Sequence, residues 1–282
     1  MCLRLLRAGF ALRVWNRSAE KAEALRGEGA QPCATAAEAV AGADVVISML
    51  EDGAVVGMVL ASAVHALPAG AVWIDMSSTQ QGEALACHQA LQQRGCRFID
   101  APVSGGVAGA QAGTLAIMAG GAATDYAEVE TVLAAMGRPT LVGPAGSGQV
   151  AKLCNQLIVG GTLSIVAEAL LLAQAAGADP AAVRAAIRGG FAESRILDVH
   201  GQRMLERNFL PGGQVKSQLK DLRNVLVAAA DAGVVLPVTA LVTGQYARIE
   251  TDCPRADQSA ALLALEKQNP GQRLGDGVDQ LP

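Results

Sequence analysis

The chain has 282 residues, 51% of them hydrophobic, which is enough to bury one large core or two ordinary ones and excludes a disordered chain. Twenty-two Lys and Arg against 26 Asp and Glu leave a net charge of -4 without a long basic run, which argues against a nucleic-acid partner. Six scattered Cys and three His have neither paired metal-site spacing nor the density of a disulfide scaffold, so no metal is expected and a reducing, cytoplasmic compartment fits.

In chain order, residues 1–9 read as the last turns of a helix ended by Gly9, and their short apolar run, broken by Arg4 and Arg7, does not read as a secretory leader. FALRVW (10–15) reads as a buried strand, followed by Asn16-Arg17-Ser18 and a charged helix to about Gly27. Further strands are expected at 43–50, 70–78 and 96–100, with helices at 53–66 and 82–95 between them. Short apolar strands alternating with helices predict a mostly parallel, doubly wound sheet. The segment 101–121 departs from this repetition: it is dense in small residues, contains Ser104-Gly105-Gly106, and leads into a strand near 114–118. A helix at 123–136, a short strand at 139–142 and a GPAGSG turn at 143–148 complete this half.

The stretch 148–177 is the longest apolar run compatible with one helix, about 30 residues or roughly 45 Å. That length predicts a link between two domains. Lys152, Asn155 and Gln156 interrupt its first turns on one side, and Glu168 lies farther on, so it reads as a helix of a folded domain and no membrane partner is expected. Beyond Gly177, helices are predicted at 179–188, 194–206, 215–232, 237–251 and 258–268, with no convincing strand. The Gly160-Gly161 pair suits close helix packing, either inside a bundle or at a subunit interface.

Taken as bare residues, several positions admit two readings. Lys152 is a solvated or salt-bridged lysine, or an ammonium that stabilises and protonates a carbonyl oxygen as hydride arrives. Asn155 is a packing amide or a substrate-orienting one. Ser104-Gly105-Gly106 is a turn, or a place where backbone N–H groups reach an anion. Arg17 is a solvated helix-start residue or a phosphate ligand, and Lys220 and Asp221 are surface charges or part of a site.

The ordered set VWNRS (14–18), DMSST (75–79), DAPVSGG (100–106), GTLAIMAGG (113–121), GSGQVAKLCNQ (146–156) and KDL (220–222) resembles the β-hydroxyacid dehydrogenase family through almost the whole chain. The resemblance implies an α/β fold: a Rossmann-like, NADP-binding domain over 1–147, then an all-helical domain over 148–282 built on the long helix. It implies that Lys152 is catalytic and that Ser104, Gly105, Gly106 and Asn155 bind substrate. It also implies that Asn16, Arg17, Ser18, Leu50, Ser78, Thr79, Lys220 and Asp221 bind cofactor. Arg17 suits the 2'-phosphate of NADP, so NADP is preferred and NAD is the alternative. Phe209 and Gln214 are candidates for shaping substrate choice.

The implied reaction is reduction of a small β-oxo carboxylate to a β-hydroxyacid, with tartronate semialdehyde to glycerate as the leading case. A dehydrogenase for 3-hydroxyisobutyrate or a threonate-like sugar acid is the enzymatic alternative. A catalytically impaired ligand-binding or oligomer-forming relative is the other. A small carboxylate and a second copy of the chain are the expected partners. One departure stands out: relatives place a strand and a G-x-G-x-x-G turn immediately before the helix matching residues 1–8, and no such turn occurs here. The sheet is therefore expected to be N-terminally incomplete, without its first strand and glycine-rich loop.

Overall fold

The computed structural model describes residues 1–282 and divides into two compact units, Met1–Lys152 and Leu153–Pro282. The first unit opens with α1 (Cys2–Arg7), β1 (Arg13–Val14), α2 (Ala19–Glu23), β2 (Gln31–Pro32), α3 (Ala36–Val40) and β3 (Val45–Ser48). It continues through α4 (Gly53–Ala63), β4 (Val72–Asp75), α5 (Gln81–Gln92), β5 (Arg97–Asp100), β6 (Val103–Ser104), α6 (Gly106–Ala112), β7 (Leu115–Gly120), α7 (Ala123–Ala134) and β8 (Gly137–Gly143).

A six-stranded sheet runs in the order β3-β4-β5-β7-β6, with β8 paired to β7, while β1 and β2 form a separate parallel pair. β3, β4 and β5 are parallel, as expected. β7 runs antiparallel to both β5 and β6, so the sheet is mixed rather than mostly parallel. The short β6 allows the chain to reverse into β7 without a full crossover, which a parallel pair would require. All four residues of β4, VWID, are buried, as befits a strand covered on both faces. Ile74 and Ile99 pack with Leu115, Ile117 and Leu133 in one core cluster, and Trp73 and Phe98 pack with Val56, Leu60 and Leu91 in another. The strand expected at 10–15 is reduced to two residues, and the helix expected to reach Gly27 stops at Glu23 before a 3-10 turn at Arg26–Glu28.

The long helix is α8 (Ser147–Ala175), and the two units divide inside it, one and a half turns after the boundary expected at 147/148. The reason is local: the first turn of α8 is bonded to β5. Asp100 accepts the Gly146 N–H at 2.7 Å and the Gln149 N–H at 2.8 Å, which satisfies two donors at the helix start. Gly148 is required by this approach, since a Cβ there would lie 2.4 Å from the Met118 carbonyl oxygen and 2.5 Å from that of Asp100.

The second unit adds α9 (Pro180–Ile187), α10 (Arg195–Leu205), α11 (Val215–Asp231), α12 (Pro237–Ala247) and α13 (Ala261–Glu266), and is helical throughout. Its core joins Leu163, Val166 and Leu170 of α8 with Leu219 and Leu222 of α11 and Tyr246 of α12. Close packing of α8 on α11 depends on Gly160, where a Cβ would meet Gln218 Nε2 at 2.7 Å; Gly161 has nothing within 4 Å, so only one of the pair serves this role. By length and composition α8 is apolar enough to cross a membrane, and 44% of its most apolar window is buried inside the fold. Arg207, only 1% exposed, pairs with Glu266 and Asp279 and binds the C-terminal segment to this unit.

Candidate active site

Ligands of open α/β sheets bind beyond the carboxyl ends of the strands. In this chain those ends carry Asn16-Arg17-Ser18 after β1, Leu50 after β3, Met76–Gln80 after β4 and the Val103–Gly106 segment after β5. Arg17 is exposed, and Asn16 Nδ2 donates to the Ser18 carbonyl at 3.0 Å, which shapes the turn into α2.

The loops after β3 and β4 are joined by a buried polar network. Asp75 accepts from the hydroxyls of Ser48 and Ser77, each at 2.7 Å, and Trp73 Nε1 donates to Ser48 Oγ at 2.8 Å. Ser77 Oγ also accepts the Leu50 N–H at 2.9 Å. Burial pushes the Asp75 carboxyl above its ordinary range, partly offset by the two serine hydroxyls. Next to this network, Gln149 of α8 is fully buried. Its Nε2 donates to the Ser77 carbonyl at 2.8 Å and its Oε1 accepts the Thr79 N–H at 3.0 Å. Leu50 and Ser78 are half-buried, whereas Thr79 is only 2% exposed. Thr79 is therefore closed off, its N–H already bonded to Gln149.

Asp100 has two opposing influences on its carboxyl. Burial pushes its pKa up to about 6, while the Gly146 and Gln149 N–H groups favour the ionised form and keep it from rising further. The same helix start carries Lys152, whose Nζ donates to the Val103 carbonyl at 2.9 Å. That fixes the ammonium beside the residue preceding Ser104. Gly105 and Gly106 are exposed and have φ of 135° and 61°, a conformation that side chains disfavour. The segment is not a plain turn: Gly105 caps α6, a helix that the small, glycine-rich sequence concealed.

One turn beyond Lys152, a set of amides occupies the second unit. Asn155 Nδ2 donates to Gln156 Oε1 at 2.9 Å, and Gln156 Nε2 donates to Asp221 Oδ2 at 2.7 Å and to Gln218 Oε1 at 3.2 Å. Gln218 Nε2 donates to the Gln156 carbonyl at 3.0 Å, and Lys220 Nζ lies 3.5 Å from Asp221 Oδ1. Asp221 is 5% exposed. Asn155, Lys220 and Asp221 are thus connected through Gln156 and its neighbours rather than standing as separate contacts.

Of the two residues expected to shape substrate choice, Phe209 is closed off, whereas Gln214 is half-buried. Phe209 is fully buried beneath the Arg207 guanidinium, 5.5 Å from ring centroid to Cζ, because its neighbours pack into the helical core. Gln214 precedes α11 and pairs with Asp257 in an isolated bridge. Conversely, sequence reasoning missed Gln149, Asp100 and Gln218. The available signals were a glutamine one turn before Lys152, a carboxylate ending an otherwise buried strand, and a glutamine three residues before Asp221.

Residues 1–146 match the family model described as the NAD binding domain of 6-phosphogluconate dehydrogenase. Residues 146–265 match NAD-binding of NADP-dependent 3-hydroxyisobutyrate dehydrogenase. The chain is 38% identical to 2-hydroxy-3-oxopropionate reductase of Escherichia coli over 94% of this chain and 92% of that protein. It is 34% identical to a probable mitochondrial 3-hydroxyisobutyrate dehydrogenase-like protein of Arabidopsis thaliana, over 95% and 82% of the two chains. The solved 3-hydroxyisobutyrate dehydrogenase of Mycobacterium tuberculosis with L-serine superposes with a TM-score of 0.87 at 30% identity, covering 93% of each chain. With both halves matched in order and relatives spanning nearly the full length, this chain belongs to the β-hydroxyacid dehydrogenase family of NAD(P)-binding oxidoreductases.

Proposed function

We propose that the protein reduces 2-hydroxy-3-oxopropionate, also called tartronate semialdehyde, to glycerate, with NADP as the preferred coenzyme. The observation that carries this reading is Lys152, on the segment matching the family's catalytic lysine, with its ammonium held 2.9 Å from the Val103 carbonyl, next to Ser104. Similarity to the Escherichia coli 2-hydroxy-3-oxopropionate reductase supports the choice of substrate. The donor set suits a phosphorylated dinucleotide: Arg17 is exposed at the end of β1 and has no ion pair within the chain, which fits a 2'-phosphate. Asn16 and Ser18 would contact the adjoining ribose, Leu50, Ser78 and Thr79 the inner part of the coenzyme, and Lys220 with Asp221 its nicotinamide end.

When bound, the nicotinamide supplies the hydride that reduces the carbonyl carbon. The substrate carboxylate is held by Ser104 and the backbone of Gly105 and Gly106. Asn155 orients the substrate one turn along α8 from Lys152. Negative charge develops on the carbonyl oxygen, and the Lys152 ammonium stabilises it and passes it a proton, ending as the neutral amine. Self-association is part of the proposal, supported by exposed Ile158, Ile165 and Leu172 at seven-residue spacing on α8.

Steady-state turnover with NADPH and NADH on 2-hydroxy-3-oxopropionate, 2-methyl-3-oxopropionate and a threonate-type acid tests the reading. The highest kcat/KM is expected for the first substrate with NADPH. Absence of turnover on all of them would leave a ligand-binding relative and sink the reductase proposal.

A further inference from the structure

Both ends of the Lys152 contact hang from Asp100. Shortly after it along the chain comes Val103, whose carbonyl accepts from Lys152 Nζ. Asp100 also holds the other end: its Oδ1 takes the Gly146 N–H at 2.7 Å and its Oδ2 the Gln149 N–H at 2.8 Å, and Lys152 follows Gln149 on the same side of α8. Gly120 and Gly148 close in on the carboxylate, since a Cβ on the first would lie 2.7 Å from Oδ1 and on the second 2.8 Å from Oδ2. Asp100 is fully buried, so water does not take over either bond.

Each carboxylate oxygen thus faces a backbone donor. A proton taken up by Asp100 must sit on one of those oxygens, where it occupies a lone pair and removes the charge that strengthens both bonds; charge-assisted hydrogen bonds are roughly twice as strong as neutral ones. Burial, reinforced by the neighbouring Asp75, brings this event up to about pH 6. Asp100 points to the same face of the sheet as Phe98, the face covered by α4 and α5. The ionisable groups around it there are Asp75 on β4, at the same register, Glu83, Cys87 and His88 on α5, and Lys152 on α8. α4, β7 and the 143–146 turn carry none. The Cys87 thiol, pushed up to about 11, stays neutral near pH 6.

We infer that Asp100 is a positioning residue for Lys152: ionised, it fixes the first turn of α8 against the Val103–Gly106 segment, and protonated it releases that turn, so reduction fails in acid. The inference rests on the reductase reading above and adds the group that sets its acid limit. Lys152 itself sets only the alkaline limit, because it works as the ammonium.

The test is the rate of single-turnover hydride transfer by the full chain, between about pH 5 and pH 8, from a preformed coenzyme complex at saturating 2-hydroxy-3-oxopropionate. NADH is used beside NADPH, whose phosphate monoester itself titrates at about pH 6. With both coenzymes the wild-type rate is expected to fall on the acid side by about 10- to 100-fold, with its midpoint at about pH 6, since a misplacement of about 1 Å costs on the order of 100-fold. Asp100→Asn sets an amide donor against one of the two N–H groups and so resembles the protonated acid. Its rate is expected to be low at neutral pH and flat across the range, near the acid plateau of the wild type. A purely structural defect lowers the rate and leaves the acid limb in place. His88→Gln is expected to keep the wild-type profile. A second measurement uses the wild type alone: the amide proton resonances of Gly146 and Gln149 are expected to titrate with the same midpoint as the rate, which decides the case even where Asp100→Asn does not fold. A wild-type rate that is flat through pH 6, an acid limb that persists in Asp100→Asn or disappears in His88→Gln, or amide resonances that do not titrate overturns the inference and leaves the reductase reading intact. Turnover by the wild type at no pH overturns both.

Discussion

Asp100 and Gln149 are joined at 2.8 Å by a hydrogen bond from the helix-start backbone N–H to a buried carboxylate, and this contact ties the last residue of β5 to the helix that carries Lys152. Gln149 then extends the connection with its side chain to the loop after β4. The turn that carries Lys152 is therefore held by a frame of buried polar contacts, the kind of support that a precisely placed side chain requires.

The Asp100 contact has a pH signature. Its folded pKa of about 6 lies above the unfolded value of roughly 3.9, so the native state binds more protons between these two values. Its contribution to stability is most favourable below about pH 4 and is lost as pH rises through about 6. Asp100→Asn removes this dependence. Urea unfolding of both proteins at several pH values should show the stability of the wild type, relative to the variant, declining by on the order of 2–3 kcal/mol across that window. A difference that stays constant or grows with pH would contradict the assignment.

Gln149→Leu keeps the volume of the side chain and removes both of its hydrogen bonds, leaving the Ser77 carbonyl and Thr79 N–H buried without their partner. The expected cost is about 2–6 kcal/mol, because each of the two stranded groups forfeits roughly 1–3 kcal/mol. Denaturant midpoints measure it directly, and a loss below about 0.5 kcal/mol would mean that the loop does not depend on this residue.

Arg17→Ser should lower kcat/KM for NADPH by about 10- to 100-fold, as expected for loss of a charge-assisted hydrogen bond to phosphate, while leaving NADH nearly unaffected. Equal loss with the two coenzymes would remove Arg17 from phosphate recognition.

The order of strands and helices was legible wherever an element was long or bounded by strong stop signals, as with Gly9, the VWID strand and α8. β2 and α3 were not, because two residues and five residues are too few to set up a periodicity. Strand direction was also hidden: apolar content identifies β7, but its antiparallel pairing with β5 follows from the way the chain turns through Val103-Ser104. In the candidate site, Lys152 and Asn155 could be singled out from helical spacing, since both interrupt an apolar helix. Gln149 shares that spacing and was overlooked because its partners are backbone groups more than 60 residues away, which no local pattern encodes. Phe209 shows the opposite error. Its position shortly before the helix that carries the KDL segment suggested a part in substrate choice, whereas long-range packing under Arg207 places it in the core.

The role of Lys152 is tested most directly by single-turnover hydride transfer in Lys152→Ala, followed by loss of NADPH absorbance with saturating 2-hydroxy-3-oxopropionate. A general acid of this kind contributes about 10²- to 10⁴-fold, so the rate should fall by that factor while the variant retains its fold. A single-turnover rate equal to that of the wild type would contradict the assignment of Lys152 as the proton donor.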